Sequence, residues 1–512
     1  MATTVEQVIA SKGIYGKKIY LLGTAILGPI NTPIKANSIS HVVSVFGTQG
    51  TLVDAYRIIA ETNLDCEVYL VKVTGIHSEA YLNINQPKRE IISNGFYLKS
   101  KHANEMYNNI SILLDSESLF IQYNSTNNEE EDYILEYSYN EYLTMHDLAE
   151  AINNDTRNLK SDVYCYVNCE PGTPTIGALD TVNPVEIKLS GGNSGLYYNK
   201  NMFYNCLDDT YSILEGLDID IILPLNANYD DTFTDNEDDL DEYYNLDREY
   251  LTLKDNNEKY LSYYTQLLSF CKKQMRFGFI THGIMGVNLI EDPSLDEEKY
   301  LKMLEYMTIQ NEQDSFEQKY KHLVSVVVGD LYSVFGVSLS NGYIAYASLV
   351  ASLDVTENTT NKMLPSTFTL GNVFSSESIE RLKELGFTTF RYSVLKKSVV
   401  VANGITTSED EAFKYLCNVR MVQLTMCYVR TLLSSFIGEG LSELIISKQL
   451  EQGLKALLEA LVKMNIITGY AVNELINPVT GHIFLDLSLR TAYMIEDIRA
   501  FSGLASKGWL NV

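Results

Sequence analysis

Hydrophobic positions along this chain change their period several times. Ile19-Tyr20-Leu21-Leu22 is a short, unbroken apolar run and predicts a buried strand. It leads into a Gly-Pro turn at Gly28-Pro29, a second proline at Pro33, and then Val42-Val43-Ser44-Val45-Phe46-Gly47. A helix is predicted over residues 51–62 and a strand over 66–73. From about 76 to 170, short runs of strand-forming residues recur (EAYLNI, GFYLKS, ISILLD, LFIQYN, YILEYSY), separated by Asn, Ser and Glu. These predict an antiparallel β insertion. One helix interrupts it, opened by a capping box at Thr144-Met145-His146-Asp147 and carrying Leu148, Ala149 and Ile152.

From about 186 the pattern lengthens. Helices over 201–214, 246–273, 294–307 and 343–353 alternate with nearly all-apolar strands at 219–224, 277–280 and 323–329. That alternation predicts a parallel sheet covered on both faces. After 375 come a helix (377–385), a hairpin turning at Lys396-Lys397, two long helices (410–435 and 441–464) and two strands (466–473 and 483–489). The fold class expected is multidomain, α/β and α+β. No repeat of 20–50 residues is present, which argues against a solenoid.

Composition narrows the functions. The 512 residues carry a formal net charge of −27. Such a surface repels phosphate, and no basic stripe overrides it, so nucleic-acid binding is not expected. Met1–Ala10 lacks a basic and an apolar region, and no apolar run reaches about 18 residues, so neither a signal peptide nor membrane insertion is expected. Seven cysteines are scattered. Cys165 and Cys169 lie four apart in a strand-like run without a His or Cys cluster nearby, and read as buried thiols in a reducing compartment. The 36 tyrosines hint at extensive subunit contact.

Catalytic and ligand-binding patterns are sparse. There is no G-x-S-x-G; Gly191-Gly192-Asn193-Ser194-Gly195 has the wrong spacing. His282 follows a predicted parallel strand and Asp220 lies in the strand before it, but nothing supplies a nucleophile. They define the alternative reading, a cytoplasmic α/β hydrolase with a β accessory domain. Gly13-Ile14-Tyr15-Gly16-Lys17-Lys18 has two residues between its glycines where a P-loop has four. The acidic run Asp230–Glu242 lacks the glycine of a calcium loop and reads as a solvated loop, as does 127–132. No metal and no cofactor is expected. In the helix over 441–464, Lys448, Lys455 and Lys463 fall on nearly one face. They read as a solvated face or as contacts to an acidic partner.

Several passages resemble one family in the same order. The stretch 23–47 (Gly-Thr-Ala, Gly-Pro, Asn-x-Pro, Ser, Phe-Gly) resembles the start of the conserved domain of contractile tail sheath proteins of phages and phage-like particles. Gly191-Gly192 followed by a helix and LEGLDIDIILPLNA, then NGYIAYASLVASLD, RLKELGFTTF, and the helix containing Asn418-Val419-Arg420 resemble later passages of that family. Two passages depart: Ala402-Asn403-Gly404-Ile405-Thr406-Thr407 and Asn361-Lys362-Met363-Leu364-Pro365.

The resemblance implies a structural subunit without enzymatic activity. Stacked six-fold rings would surround a tail tube and contract to drive the tube through a host envelope. Implied partners are other copies of the chain, the tail tube protein, and baseplate and tail terminator proteins. The implied location is the virion tail, assembled in the host bacterial cytoplasm. The alternative within this class is another tail or baseplate component. The domains expected are an N-terminal arm (1–16) and a discontinuous tube-proximal α+β domain (17–75 with 376–490). An outward-facing β insertion (76–185), a subtilisin-like α/β domain without protease activity (186–375) and a C-terminal arm (491–512) complete the set. Val5, Val8, Ile9, Tyr493, Ile495 and Ile498 are the candidate arm residues. Lys448, Lys455 and Lys463 are the candidate tube-facing residues.

Overall fold

The computed structural model describes residues 16–62, 66–85, 91–115, 117–123, 133–157, 165–168, 185–196, 198, 200–229, 232–233, 261–287, 297–311, 318–333, 338–339, 342–434, 436, 443–477 and 482–491. The chain opens with β1 (Lys18–Gly23), β2 (Ile34–Ala36), α1 (Ile39–Phe46), α2 (Thr51–Glu61) and β3 (Glu67–Lys72). The next stretch contains β4 (Glu79–Asn85), β5 (Ile91–Ser100), β6 (Ile110–Leu114), β7 (Ser118–Tyr123), β8 (Tyr133–Ser138), α3 (Met145–Asn154), β9 (Cys165–Asn168) and β10 (Val185–Lys188). Then follow α4 (Lys200–Leu214), β11 (Ile221–Pro224), β12 (Thr232–Phe233), β13 (Leu261–Ser262), α5 (Tyr263–Arg276), β14 (His282–Gly286), α6 (Glu297–Asn311), β15 (Val324–Val328), β16 (Leu331–Ser333), β17 (Ser338–Leu339), α7 (Gly342–Ser352) and β18 (Phe368–Leu370). The last part comprises α8 (Ser376–Glu384), β19 (Phe387–Ser393), β20 (Ser398–Val401), α9 (Leu416–Ser434), α10 (Glu443–Lys463), β21 (Gly469–Asn477) and β22 (His482–Arg490).

One eight-stranded sheet, ordered β2-β3-β1-β11-β14-β15-β19-β20, organises the body. Its six inner strands are parallel, and β2 and β20 close the edges antiparallel. Both faces are covered, as apolar parallel strands require. Ile19 and Leu21 point into a core with Leu52 and Ile58 of α2 and Tyr346 of α7. Tyr20 and Leu22 point the other way, against Phe203 and Leu207 of α4 and Leu267 and Phe270 of α5. The period of two in β1 thus feeds two separate cores.

This sheet joins strands from three parts of the chain that the sequence divides between two domains. The first strand is an interior strand: β3 pairs with it on one side and β11 on the other. It does not neighbour β19 or β20. The sheet takes β1–β3 and β19–β20 from one expected domain and β11, β14 and β15 from another, and no strand from the insertion at 76–185. The reason is physical: β1 is apolar on both faces and needs a partner on each edge, and β11 is the apolar parallel strand that supplies one. The strand expected at 277–280 also shifts. Gly278 adopts φ +76 in a turn closing α5, and β14 begins at His282. Likewise, α9 starts at Leu416, because Tyr415 is bridged to Ile405 and the chain before it turns.

Residues 76–190 carry a core of their own. A four-stranded sheet (β10-β6-β7-β8), a three-stranded sheet (β4-β5-β9) and α3 bury Leu98, Tyr107, Ile112, Ile121 and Leu148 among others. Thr144 Oγ1 accepts from Asp147 N and the Asp147 carboxylate accepts from Thr144 N, closing the capping box of α3. Polar bonds fasten this unit to the sheet: buried Lys72 donates to Ala103 O at 3.1 Å, and Asn104 Nδ2 donates to Ile26 O at 2.9 Å. A fourth core joins α9, α10 and the β21–β22 hairpin through Leu424, Leu432, Leu454, Leu458 and Leu461. The architecture is thus multidomain, α/β and α+β, with several sheets.

Candidate functional site

In open α/β sheets, ligands bind beyond the carboxyl ends of strands where the strand order reverses. Here that point lies at β1 and β11. Thr24 follows β1 and Leu225-Asn226 follows β11. The crevice is closed by the protein's own groups. Thr24 N donates to Thr51 Oγ1 at 2.9 Å, Thr51 Oγ1 donates to Asn226 Oδ1 at 2.7 Å, and Tyr343 Oη donates to Leu225 O at 3.1 Å. These bonds use the polar groups that a ligand would engage.

The structure brings His282 and Asp220 together and adds Ser325, which sequence reasoning missed because it lies 43 residues further along. His282 Nε2 lies 2.9 Å from Ser325 Oγ, and His282 N donates to Asp220 O at 2.9 Å. The proton arrangement opposes catalysis. Ser325 Oγ donates to Ile405 O at 2.9 Å, so its proton is committed there and His282 must donate Nε2–H to the oxygen. A histidine in that tautomer cannot take the serine proton. Its Nδ1 has no hydrogen-bond partner among the described residues, and the Asp220 carboxylate accepts from Lys18 N at 3.1 Å instead. His282 and Ser325 are fully buried. Burial, with His322 and Arg420 nearby, pushes His282 down to about 3. The trio is a core polar network.

A stability test follows. The folded pKa of His282 lies below its unfolded value near 6.5. Its contribution is therefore present above about pH 6.5 and is lost as pH falls toward 3, at about 1.4 kcal/mol per pH unit. Burial raises Asp220 to about 6, which works in the opposite sense as pH falls. Comparing His282→Gln with the parent at fixed Asp220 isolates the histidine. Denaturant unfolding free energies at pH 7.5 and 4.5 should show the parent losing about 3 kcal/mol more than the variant; equal losses would mean that His282 is not held neutral.

Elsewhere the described residues present unpaired strand edges and an exposed helix face. The β21–β22 ribbon pairs nine residues with nine, from Gly469↔Arg490 to Asn477↔His482, and forms a two-stranded sheet of its own. Among the described residues neither outer edge has a strand partner, so both present main-chain donors and acceptors. Its sequence signal was alternation in IFLDLSL; its isolation from the main sheet was not legible. On α10, Lys448, Lys455 and Lys463 are all exposed. Their face is mixed in charge, since Glu451 and Glu459 share it and Lys455 Nζ pairs with Glu451 at 2.5 Å. Arg420, singled out in the sequence, is buried and donates to Leu353 O and Asp354 O at 3.1 and 3.3 Å, holding the end of α7. Val5, Val8, Ile9, Tyr493, Ile495, Ile498, Cys169 and all of the acidic run 230–242 except Thr232 and Phe233 lie outside the described residues. Among the described residues no group of three or more His, Cys, Asp or Glu is arranged to hold a metal, and no helix is long and apolar enough to cross a membrane.

No protein-family model and no curated protein matches the chain. Solved structures do. A sheath tail protein from Listeria innocua matches with a TM-score of 0.53 at 13% identity, over 95% of this chain and 95% of that one. A sheath tail protein from Desulfitobacterium hafniense gives 0.49 at 11%, over 93% and 96%. A chain of the anti-feeding prophage baseplate in its contracted state gives 0.49 at 12%, over 97% and 95%. The chain has the fold of the Listeria innocua sheath tail protein along nearly its whole length.

Proposed function

We propose that this protein is a subunit of a contractile tail sheath, without enzymatic activity. The observation that carries the reading is the fold shared with a sheath tail protein over 95% of both chains. The ordered sequence resemblance agrees with it. The committed proton of Ser325 and the closed crevice at Asn226 argue against the hydrolase reading.

Copies of the chain stack as six-fold rings around a tail tube in the virion tail, and contraction drives the tube through a host envelope. An open helical polymer needs heterologous contacts, in which one patch meets a different patch on the next copy. Strand addition supplies such contacts through main-chain hydrogen bonds. The free edges of β21 and β22 are the acceptors in this reading, and the arms carrying Val5, Val8 and Ile9 or Tyr493, Ile495 and Ile498 are the donors. Lys448, Lys455 and Lys463 face the tube protein. Residues 76–185 face outward, and the α/β core is subtilisin-like in shape. Baseplate and terminator proteins cap the polymer, which is assembled in the bacterial cytoplasm.

Electron microscopy of the purified protein tests this directly. Helical tubes or stacked rings are expected. A monodisperse monomer at every concentration and salt condition tried would overturn the reading.

A further inference from the structure

The tip of the β19–β20 hairpin stands away from the body. Val394 and Leu395 are 79% and 97% exposed, and Lys397 occupies the left-handed region at φ +50 to close the turn. Beside it lies an open groove of about 520 Å³. Leu349, Met363, Leu364 and Pro365 give it an apolar floor, and Lys396 and Lys397 form its rim. Met363 is 53% exposed there. Lys396 Nζ is anchored on Asn361 O, and Arg391 on Asn361 Oδ1. Among the described residues none of Arg391, Lys396 and Lys397 has a carboxylate partner, although the chain carries a net charge of −27. An apolar floor with a cationic rim fits an acidic peptide that carries apolar anchors.

We propose that this groove receives the acidic segment of a second copy of the same chain, Asp235–Glu242 with Tyr243 and Tyr244. The inference rests on the self-assembly reading above. Six of the eight residues 235–242 are acidic, and Leu240, Tyr243 and Tyr244 supply the anchors. The topology favours another copy over the same one. The segment departs from β12 and returns at β13, which pair with each other directly before Tyr263 and Tyr264 in the core on the α5 side of the sheet. Leu349 and Leu364 of the groove belong to the core on the opposite side. The groove and the β12–β13 pair that flanks the segment therefore belong to opposite layers, and two different patches of one chain give the head-to-tail contact that an open polymer requires.

The test uses a fluorescent peptide of residues 234–246 and the full-length protein, read by fluorescence anisotropy at low and high salt. Binding is expected, at least ten-fold weaker in the double variant Lys396→Glu, Lys397→Glu, weaker in Met363→Asp, and weakened by salt. A peptide with Asn and Gln in place of the acids should not bind. These substitutions lie on exposed positions, so circular dichroism should match the parent. No binding to the parent, equal binding to the double variant, or binding of single-stranded DNA in preference to the peptide would each overturn the inference. If the parent forms tubes yet ignores the peptide, the groove assignment fails and the sheath reading stands. If the peptide binds but no polymer forms under any condition, the sheath reading fails instead.

Discussion

Removing residues 1–15, or residues 492–512, should leave a folded monomer that no longer forms tubes. Among the described residues, each of the four cores already closes on itself between Ile19 and Ile467, which is enough apolar burial to expect a folded monomer without either segment. What the deletions remove are the proposed donor strands. An arm that pairs along one edge of the nine-residue β21 or β22 gains several main-chain hydrogen bonds, each worth about 1 kcal/mol net. That sum per contact, repeated at every subunit, decides between polymer and monomer. Sedimentation velocity should show a shift from large assemblies to one slow species, with an unchanged circular dichroism spectrum. Tubes of normal length from either truncated protein would end the strand-donor idea, and loss of the folded signal would show that the arms belong to the monomer.

The second large effect concerns folding. Gly50→Ala should destabilise the protein by about 3 kcal/mol or more. Gly50 precedes α2 with φ +120 and ψ +159, a region essentially restricted to glycine. A Cβ there would lie 2.4 Å from Thr24 O and 2.6 Å from Ala25 Cα, both backbone atoms that cannot swing aside. The contact matters because the Thr24–Thr51 bonds lock α2 onto the end of β1. Thermal melting should drop clearly for Gly50→Ala, whereas Gly191→Ala, with φ +78 but open space around it, should cost much less. Equal losses would show that backbone conformation alone, and not the approach to Thr24, sets the requirement.

Much of this architecture is legible in the residues. Apolar patterning locates α2, α4, α7 and α8 to within a residue or two: α2 and α4 carry an apolar stripe, α7 is buried on every side from Gly342 to Ala351, and α8 opens at the cap Ser375, whose side chain accepts from Ser378 N. The capping box at Thr144 is local chemistry and reads directly. Pairing is different. Nothing in Ile19–Leu22 says that its neighbours are Val68–Val71 and Ile221–Pro224, since any apolar parallel strand would satisfy the same pattern. The same limit hid Ser325 from His282, whose contact depends on β14 and β15 lying side by side. The groove was invisible for a third reason: Met363 and Lys396 meet only because residues 362–364 cover the edge of β20.

The position of β1 has a mechanical consequence. It follows almost at once from the segment ending at residue 15 and is gripped along both edges, by β3 over Lys18–Gly23 and by β11 over Ile19–Leu22. A pull on the preceding segment, directed along the strand, loads both ladders in shear, so the hydrogen bonds must yield together and cannot peel one at a time. An arm rooted on an edge strand such as β2 would unzip under the same tension. In the proposed lattice, a subunit tugged by its neighbour during a sudden shortening would thus be fastened at a strand held along both edges. Single-molecule pulling from the N-terminus should register that as a high unfolding force.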